Sequence, residues 1–287
     1  MDFGGFQRPA SGTLAVDHIA HWVPDRAAAF DELVRLGFAP TPFSEQFTRA
    51  NPEAPPISAG TGNHCAMLER GYLEFLAPIG DTPNAATLRA GIARYTGVHL
   101  IAFGTVEPDA QHARLAREGF APLDPVALQR EIETPSGPRT ARFSVVRTVA
   151  GAMPEGRVQF VEHKTPEHLW QARWIAHPNT AYALTHVHLC VADPTEAAAR
   201  FARYTGLPAT AIDGAPGIAS ARGDLVFRDA TAAKAAFGID PPALPWIAGY
   251  TLACRDLTKA PAGRQTARGR VVVPASALGG VIVFEAA

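Results

Sequence analysis

Histidine is the side chain most ready to bind a transition metal or move a proton near neutral pH. In this 287-residue chain, His18 lies within Val16-Asp17-His18-Ile19-Ala20-His21-Trp22-Val23-Pro24-Asp25. The stretch alternates like a half-buried strand. It recurs as Leu184-Thr185-His186-Val187-His188-Leu189-Cys190-Val191-Ala192-Asp193, with His186 over His18, Val191 over Val23 and Asp193 over Asp25. Weaker copies begin at Val98-His99-Leu100-Ile101 and Gly249-Tyr250-Thr251-Leu252. The other reactive group is Glu74, in the apolar run Tyr72-Leu73-Glu74-Phe75-Leu76. A carboxylate in such a strand needs a partner: a metal ion is one, and an arginine such as Arg157 or Arg142 is another. A lone strand histidine is more often a hydrogen-bonded packing residue. Two histidines at equivalent strand positions, with Glu74 facing inward, favour metal binding.

Strands and helices must position these groups. The first strand, over 14–23, places Val16, His18, Ala20 and Trp22 on one face and Asp17, Ile19, His21 and Val23 on the other. Asp25 caps the following helix, and Gly37 ends it. Strands over 64–68 and 72–77 complete the unit, and 38–62 reads as loop with at most one irregular strand. The order then repeats. A strand over 98–103 puts Gly97, His99, Ile101 and Phe103 on one face; a helix over 108–118 and strands near 139–148 and 157–163 follow. On the last of these, Arg157, Gln159, Val161 and His163 share a face. Asp193-Pro194-Thr195-Glu196 opens the third helix as a capping box, followed by strands near 218–221 and 224–228. The fourth unit, with strands over 248–254, 269–274 and 280–285, lacks a clear helix. The repeat of about 80 residues is too long for a solenoid. Strand–helix–strands, repeated four times, predicts an α+β fold with helices on the outside of curved sheets. The expected organisation is an N-terminal pair over 1–165, a connection over 166–181 and a degenerate C-terminal pair over 182–287.

Composition limits the function. The chain is 47% hydrophobic and 18% charged with a formal net charge of −1. Those values suit a protein with a substantial core and give no electrostatic reason to expect nucleic acid or an anionic membrane as a partner. Its three cysteines are far apart, which disfavours a disulfide framework. With no membrane-length apolar run and no signal-peptide pattern, a cytoplasmic location is expected. The expected partner is a small-molecule substrate, and a homodimer is possible. Phosphate-binding glycine loops, Cys-x-x-Cys and serine-elbow motifs are missing from the sequence.

Asp17-His18-Ile19 before Val23-Pro24-Asp25, Gly71-Tyr72-Leu73-Glu74-Phe75-Leu76-Ala77-Pro78 and Gly97-Val98-His99-Leu100 together resemble the vicinal-oxygen-chelate superfamily of glyoxalases, bleomycin-resistance proteins and extradiol dioxygenases. Gly60-Thr61-Gly62-Asn63-His64 and His163-Lys164-Thr165-Pro166-Glu167 are similar to its glyoxalase-like domain proteins. The resemblance covers essentially the whole chain and implies four βαβββ modules, pairs of which form half-barrel-type curved mixed sheets with helices outside. It also implies a divalent metal (Zn²⁺, Ni²⁺, Mn²⁺ or Fe²⁺) held by His18, Glu74, His99 and Gln159. Gln159 stands where a carboxylate is usual; an amide oxygen can coordinate a metal but cannot act as a base. Glu74, Gln159 and His163 are the residues expected to act in catalysis. The implied function is a metal-dependent glyoxalase-like enzyme of isomerase, lyase or hydrolase type, acting on a small oxygen-chelating substrate. The alternatives are an Fe²⁺ extradiol-type dioxygenase and a non-enzymatic small-molecule-sequestering protein. In the C-terminal half, Tyr250 stands for His99 and Val283 for Glu74, so the N-terminal pair is the expected active half.

Overall fold

Four strand–helix starts organise the chain, and three owe their helices to strong local signals. The computed structural model describes residues 3–48 and 54–287. The first module comprises β1 (Ala15–Trp22), α1 (Arg26–Arg35), β2 (Ser44–Thr48), β3 (Ile57–Met67) and β4 (Tyr72–Pro78), followed by α2 (Pro83–Arg94). The second comprises β5 (Gly97–Gly104), α3 (Pro108–Arg117), β6 (Val126–Thr134), β7 (Gly137–Arg147) and β8 (Arg157–His163). Short helices α4 (Pro166–Leu169) and α5 (Ala172–Ile175) make the connection. The third module comprises β9 (Ala181–Cys190), α6 (Pro194–Thr205), β10 (Ala209–Ile212), β11 (Ala215–Ile218) and β12 (Asp224–Arg228), followed by α7 (Ala230–Phe237). The fourth comprises β13 (Trp246–Cys254), a helical turn at 257–259, β14 (Arg264–Gln265), β15 (Val271–Pro274) and β16 (Val281–Ala286). The Asp25 and Asp193 carboxylates accept backbone N–H bonds at the starts of α1 and α6, satisfying donors that have no partner inside a helix.

The first and last strands of every module pair in parallel: β1 with β4, β5 with β8, β9 with β12 and β13 with β16. Modules then join antiparallel through their first strands, β1 with β5 and β9 with β13. The halves meet where Ile247 pairs with Val98 and Arg70 bridges Ala183, so the described strands form one continuous mixed sheet. One face carries Val16, Ile19, Leu73, Phe75, Ile101, Phe103 and Phe160, packed with Leu33 of α1, Leu115 of α3 and Phe201 of α6. On the other face Ala20, Trp22, Leu76, Leu100 and Ala102 pack with Leu88 of α2. Cys190, Trp246, Val281 and Val283 do the same with Ala233 and Phe237 of α7. Thus α1, α3 and α6 lie outside, as the repeat predicts, and α2 and α7 add a cover on the inner face. Among the described residues no helix is long and apolar enough to cross a membrane.

Four of the five β-bulges where first strands join revise the facing derived from strict alternation; the fifth, at Tyr182, lies at the start of β9. Val16 pairs with Phe103 and His18 with Ala102, leaving Asp17 unpaired on β1. Ala20 pairs with Leu100 and His21 with Val98, leaving His99 unpaired on β5. Thr185 of β9 and Ala248 of β13 are skipped in the same way. A bulge adds one residue to one strand and resets the side-chain parity. Val16 therefore joins the outer core while His18 faces inward. His99 faces inward while Ile101 and Phe103 face outward. The bulges also change the correspondence between modules: His99 matches Asp17, and the residue matching His18 in the second module is Leu100. In the fourth module Ala248 matches His99, correcting the assignment to Tyr250, which lies in the outer core.

The seam between halves is tight at Gly279 (φ +75°), in the turn between β15 and β16, where a Cβ would lie 1.8 Å from the Thr96 carbonyl oxygen. Gly12 has the same φ and nothing within 4 Å of that position. Gly279→Ala should therefore destabilise by roughly 3 kcal/mol, from left-handed backbone strain plus overpacking, and Gly12→Ala by only about 1 kcal/mol. Urea denaturation of both variants checks this; equal losses would show that the seam does not resist the added methyl.

Candidate functional site

The inner face of the N-terminal half carries the reactive groups. β1 supplies His18, β4 supplies Tyr72 and Glu74, and β3 supplies Asn63 and Cys65. Across β5, Gln159 of β8 pairs with Ala102, which itself pairs with His18. Gln159 therefore stands two strands from His18.

His18 is held in one tautomer. Its Nδ1 lies 2.7 Å from Asp17 Oδ1. The His163 Nε2 lies 3.0 Å from the same oxygen. An ionised carboxylate only accepts, so both imidazoles donate to it. Burial alone would raise the Asp17 pKa, but the charge and hydrogen bond of His163 and the hydrogen bond and charge of His18 outweigh it. They hold the carboxyl well below its usual range. With Nδ1 committed to Asp17, the other ring nitrogen of His18, Nε2, faces Glu74, whose Oε2 is 4.0 Å away. The ring stacks on Tyr72 with centroids 4.3 Å apart. Glu74 is itself oriented: Oε1 accepts from Asn63 at 2.5 Å and from Gln46 at 3.4 Å. Thr61 donates to Gln46 at 2.8 Å.

His99 belongs to a different arrangement. Its ring is stacked between Tyr95, with centroids 4.1 Å apart, and Trp22, at 4.7 Å. Its Nε2 donates to the Tyr95 carbonyl at 2.8 Å. Burial, partly offset by that hydrogen bond, lowers its pKa to about 4. α2 sets the sandwich: Tyr95 caps its C-terminus, and Gly91 lets Trp22 come so close that a Cβ there would lie 2.3 Å from the indole. The structure thus brings His18 and Glu74 together, turns Gln159 to the same face and commits the buried His99 to the contact between α2 and the sheet. His163 buttresses Asp17, and T-shaped contacts with Phe143 and Trp170 fix its ring.

Two contributors escaped the sequence reading. Parity placed Asp17 away from His18, and only the bulge returns it. The covering helix α2 was signalled by Thr82-Pro83, an N-cap followed by proline at the first helical position; Thr82 Oγ1 does accept the Ala85 N–H. The C-terminal half has a different inner face. Val226 pairs with His188 where Glu74 pairs with Ala20. Glu285 is held by Thr185 at 2.7 Å and Arg270 at 2.8 Å, and α7 packs over the apolar remainder.

Among the described residues, no group of three His, Cys, Asp or Glu side chains is placed to hold a metal. Of the expected ligands, His18, Glu74 and Gln159 share this face, and the His18 Nε2 and the Glu74 carboxylate approach to 4.0 Å. A carboxylate behind the imidazole and an amide behind the carboxylate are the supports that orient metal-binding side chains.

Residues 16–205 match the glyoxalase-like domain family. The chain belongs to this family. This glyoxalase-like chain has the vicinal-oxygen-chelate fold, and it resembles several solved structures at low identity. A hypothetical protein from Staphylococcus aureus is 11% identical with a TM-score of 0.65, covering 96% of this chain and 100% of that one. A mutant 4-hydroxymandelate synthase from Streptomyces coelicolor is 13% identical with a TM-score of 0.53, covering 95% and 92%. A Mn(II)-bound glyoxalase from Novosphingobium aromaticivorans is 12% identical with a TM-score of 0.51, covering 96% and 82%. No curated protein matches the glyoxalase-like sequence.

Proposed function

We propose that the N-terminal half is the active site of a divalent-metal-dependent glyoxalase-like enzyme acting on a small oxygen-rich substrate. The observation that carries this reading is the line Asp17–His18–Glu74: a buried carboxylate fixes the imidazole tautomer so that its free nitrogen points at a second, oriented carboxylate. The His18 Nε2, Glu74 and the Gln159 amide oxygen would hold the ion. A bound divalent ion supplies Lewis-acid polarisation of a substrate oxygen. Asp17 keeps the proton on His18 Nδ1, His163 shares the load on Asp17, and Asn63 holds one Glu74 oxygen so that the other faces His18. The Mn(II)-bound glyoxalase is similar in fold and supports the reading.

Metal content of purified, metal-repleted protein tests it by mass spectrometry. Wild type should hold about one ion per chain, His18→Ala and Glu74→Gln should lose it, and His99→Ala should keep it. Wild type without stoichiometric metal would overturn the proposal, while loss in His99→Ala would return His99 to the ligand set. The extradiol-type alternative needs two histidines and a carboxylate on one metal, and the Tyr95–His99–Trp22 sandwich weighs against it. Metal-free sequestration is the second reading, favoured by the small number of strong donors among the described residues.

A further inference from the structure

The inner face of the N-terminal half carries more positive charge than its own acids balance. Arg157 opens β8 on the same face as Gln159, with its guanidinium carbon 5.8 Å from the centre of the Trp22 ring. Arg147 of β7 is the register partner of Gln159. Arg130 of β6 pairs with Ala141, which packs with Cys65 and Tyr72. All three arginines are half-buried, and none makes an ion pair among the described residues. Glu74 is the carboxylate within electrostatic reach of Arg157, and Asp17 is already committed to two imidazoles. Arg147 and Arg157 both flank Gln159, one as its register partner and the other two residues before it on the same strand face, so the two cations lie close together.

Hydrogen bonding points the same way. Arg147 Nε, Arg130 Nε and Trp22 Nε1 are buried donors that find no acceptor in the described structure. A buried donor without an acceptor, and a buried cation without a counter-charge, each cost stability. Three such groups converging on the face that holds His18 and Glu74 form a site with surplus donors and surplus positive charge. Arginine's planar fork matches the two oxygens of a carboxylate or phosphate.

We propose that the substrate of this site is a small oxyanion-bearing molecule, whose carboxylate or phosphate seats on Arg147 and Arg157 while its neighbouring oxygen-bearing carbon faces His18 and Glu74. This rests on the active-site reading above for the second half of the statement, and the arginine seat is testable separately. Arg130 and Trp22 Nε1 extend the donor surface toward a second acceptor on the same molecule. The three arginines are positioning and specificity-determining residues.

The test is thermal shift and calorimetric titration of the full chain with pyruvate and oxalate, with their neutral amides pyruvamide and oxamide, and with methyl phosphate, each with and without Mn²⁺. The acids should raise Tm and bind, the amides should not, and added salt should weaken the binding. Methyl phosphate, which has no carboxylate, separates a phosphate seat from a carboxylate seat. Arg147→Met and Arg157→Met should each weaken acid binding at least about tenfold. Their Tm without ligand should match or exceed wild type, because an unpaired buried charge is removed. Arg157→Lys should retain part of the affinity. Equal binding of acids and amides, no binding of any acid, or unchanged affinity in both methionine variants would overturn the proposal. Metal content separates the two readings: acid binding without metal leaves the oxyanion seat and removes the metal reading, and stoichiometric metal without acid binding does the reverse.

Discussion

Lowering the pH from 7 to about 4.5 should unfold this protein cooperatively, with most of the stability lost between pH 6.5 and 4. Burial first, then local charges, lowers His21 from 6.5 to about 4; its bond to the Leu278 carbonyl opposes this. Burial likewise takes His99 and His177 to about 4, each partly restored by a backbone carbonyl. His188 is also held well below 6.5, by burial and then by Arg228. Each of these rings is neutral when folded, whereas in the unfolded chain each takes up a proton near pH 6.5. The unfolded state thus binds more protons in this window, and stability falls as pH falls through it. A shift of that size is worth on the order of 3 kcal/mol per histidine. Three together approach the 5–15 kcal/mol that holds a typical domain. Asp17 acts lower on the scale: with its folded pKa depressed, its contribution is full above 3.8 and is lost only below that. His177 shows why the cost is structural. Its Nε2 donates to Met67 O at 2.9 Å while its Nδ1 accepts the Ala39 N–H at 3.1 Å, so a second ring proton would break the latter bond. Circular dichroism against pH, with urea midpoints at pH 7 and 5, measures the effect. A midpoint unchanged across that interval would refute the linkage.

The modular plan was legible because its signals are local. Asp25 and Asp193 cap helices where their sequence contexts predict, and β12 falls on the expected residues 224–228. His18 and Glu74 were legible as partners because both stand in apolar strands where a polar group needs a reason. The facing of His99 was not legible, because alternation assumes an unbroken ladder and two bulges lie within one strand pair. A bulge depends on what the partner strand offers, and the sequence of β5 alone does not contain it. β6 is absent from the strands expected of the second unit for a related reason: most of its residues are exposed, so it carries no burial alternation to detect. α7 resembles α2 in this respect. Its cap, Asp229, and its stop, Gly238, are plain, but eight residues with five alanines at 230–237 give little periodicity.

The same bulges explain how one fold carries two unlike inner faces. Four of them fall at matching places in the first strand of each module, at Asp17, His99, Thr185 and Ala248, and each brings an extra residue beside the inward-facing one. At Asp17 that residue is an anion that fixes a histidine. At His99 it is a ring that fastens α2 to the sheet. At Thr185 it is a hydroxyl joining His186, 3.0 Å away, to Glu285. At Ala248 it is a methyl in the apolar cluster under α7. Position is set by the repeat, and chemistry is set by the residue each bulge presents. Only the first bulge backs a histidine with a carboxylate while a second oriented carboxylate faces the ring.

Asp17 should therefore separate folding from function when it is changed in two ways. Asp17→Ala leaves the N–H groups of His18 and His163 buried without their acceptor and should cost about 3–5 kcal/mol. Asp17→Asn is different. Its amide oxygen can still accept from both rings, and its nitrogen would occupy the position of Oδ2, which has no partner in the described structure. Much of the fold should survive, but the negative charge that favours a proton on His18 Nδ1 is gone. The imidazole becomes a weaker base at Nε2, and its tautomer is no longer fixed by charge. Metal affinity should then fall roughly 10–100-fold, the usual consequence of losing a carboxylate behind a metal-binding histidine. Urea unfolding of both variants and metal titration of Asp17→Asn measure the two effects. If Asp17→Asn binds metal as tightly as wild type while remaining folded, Asp17 is a packing anion for His163 and the His18 tautomer is set by something else. If it binds weakly while His163→Gln, which leaves the Asp17–His18 bond intact, binds nearly as well as wild type, the charge on Asp17 acts through His18. That outcome would place the functional value of the first bulge in the proton it holds on one ring nitrogen.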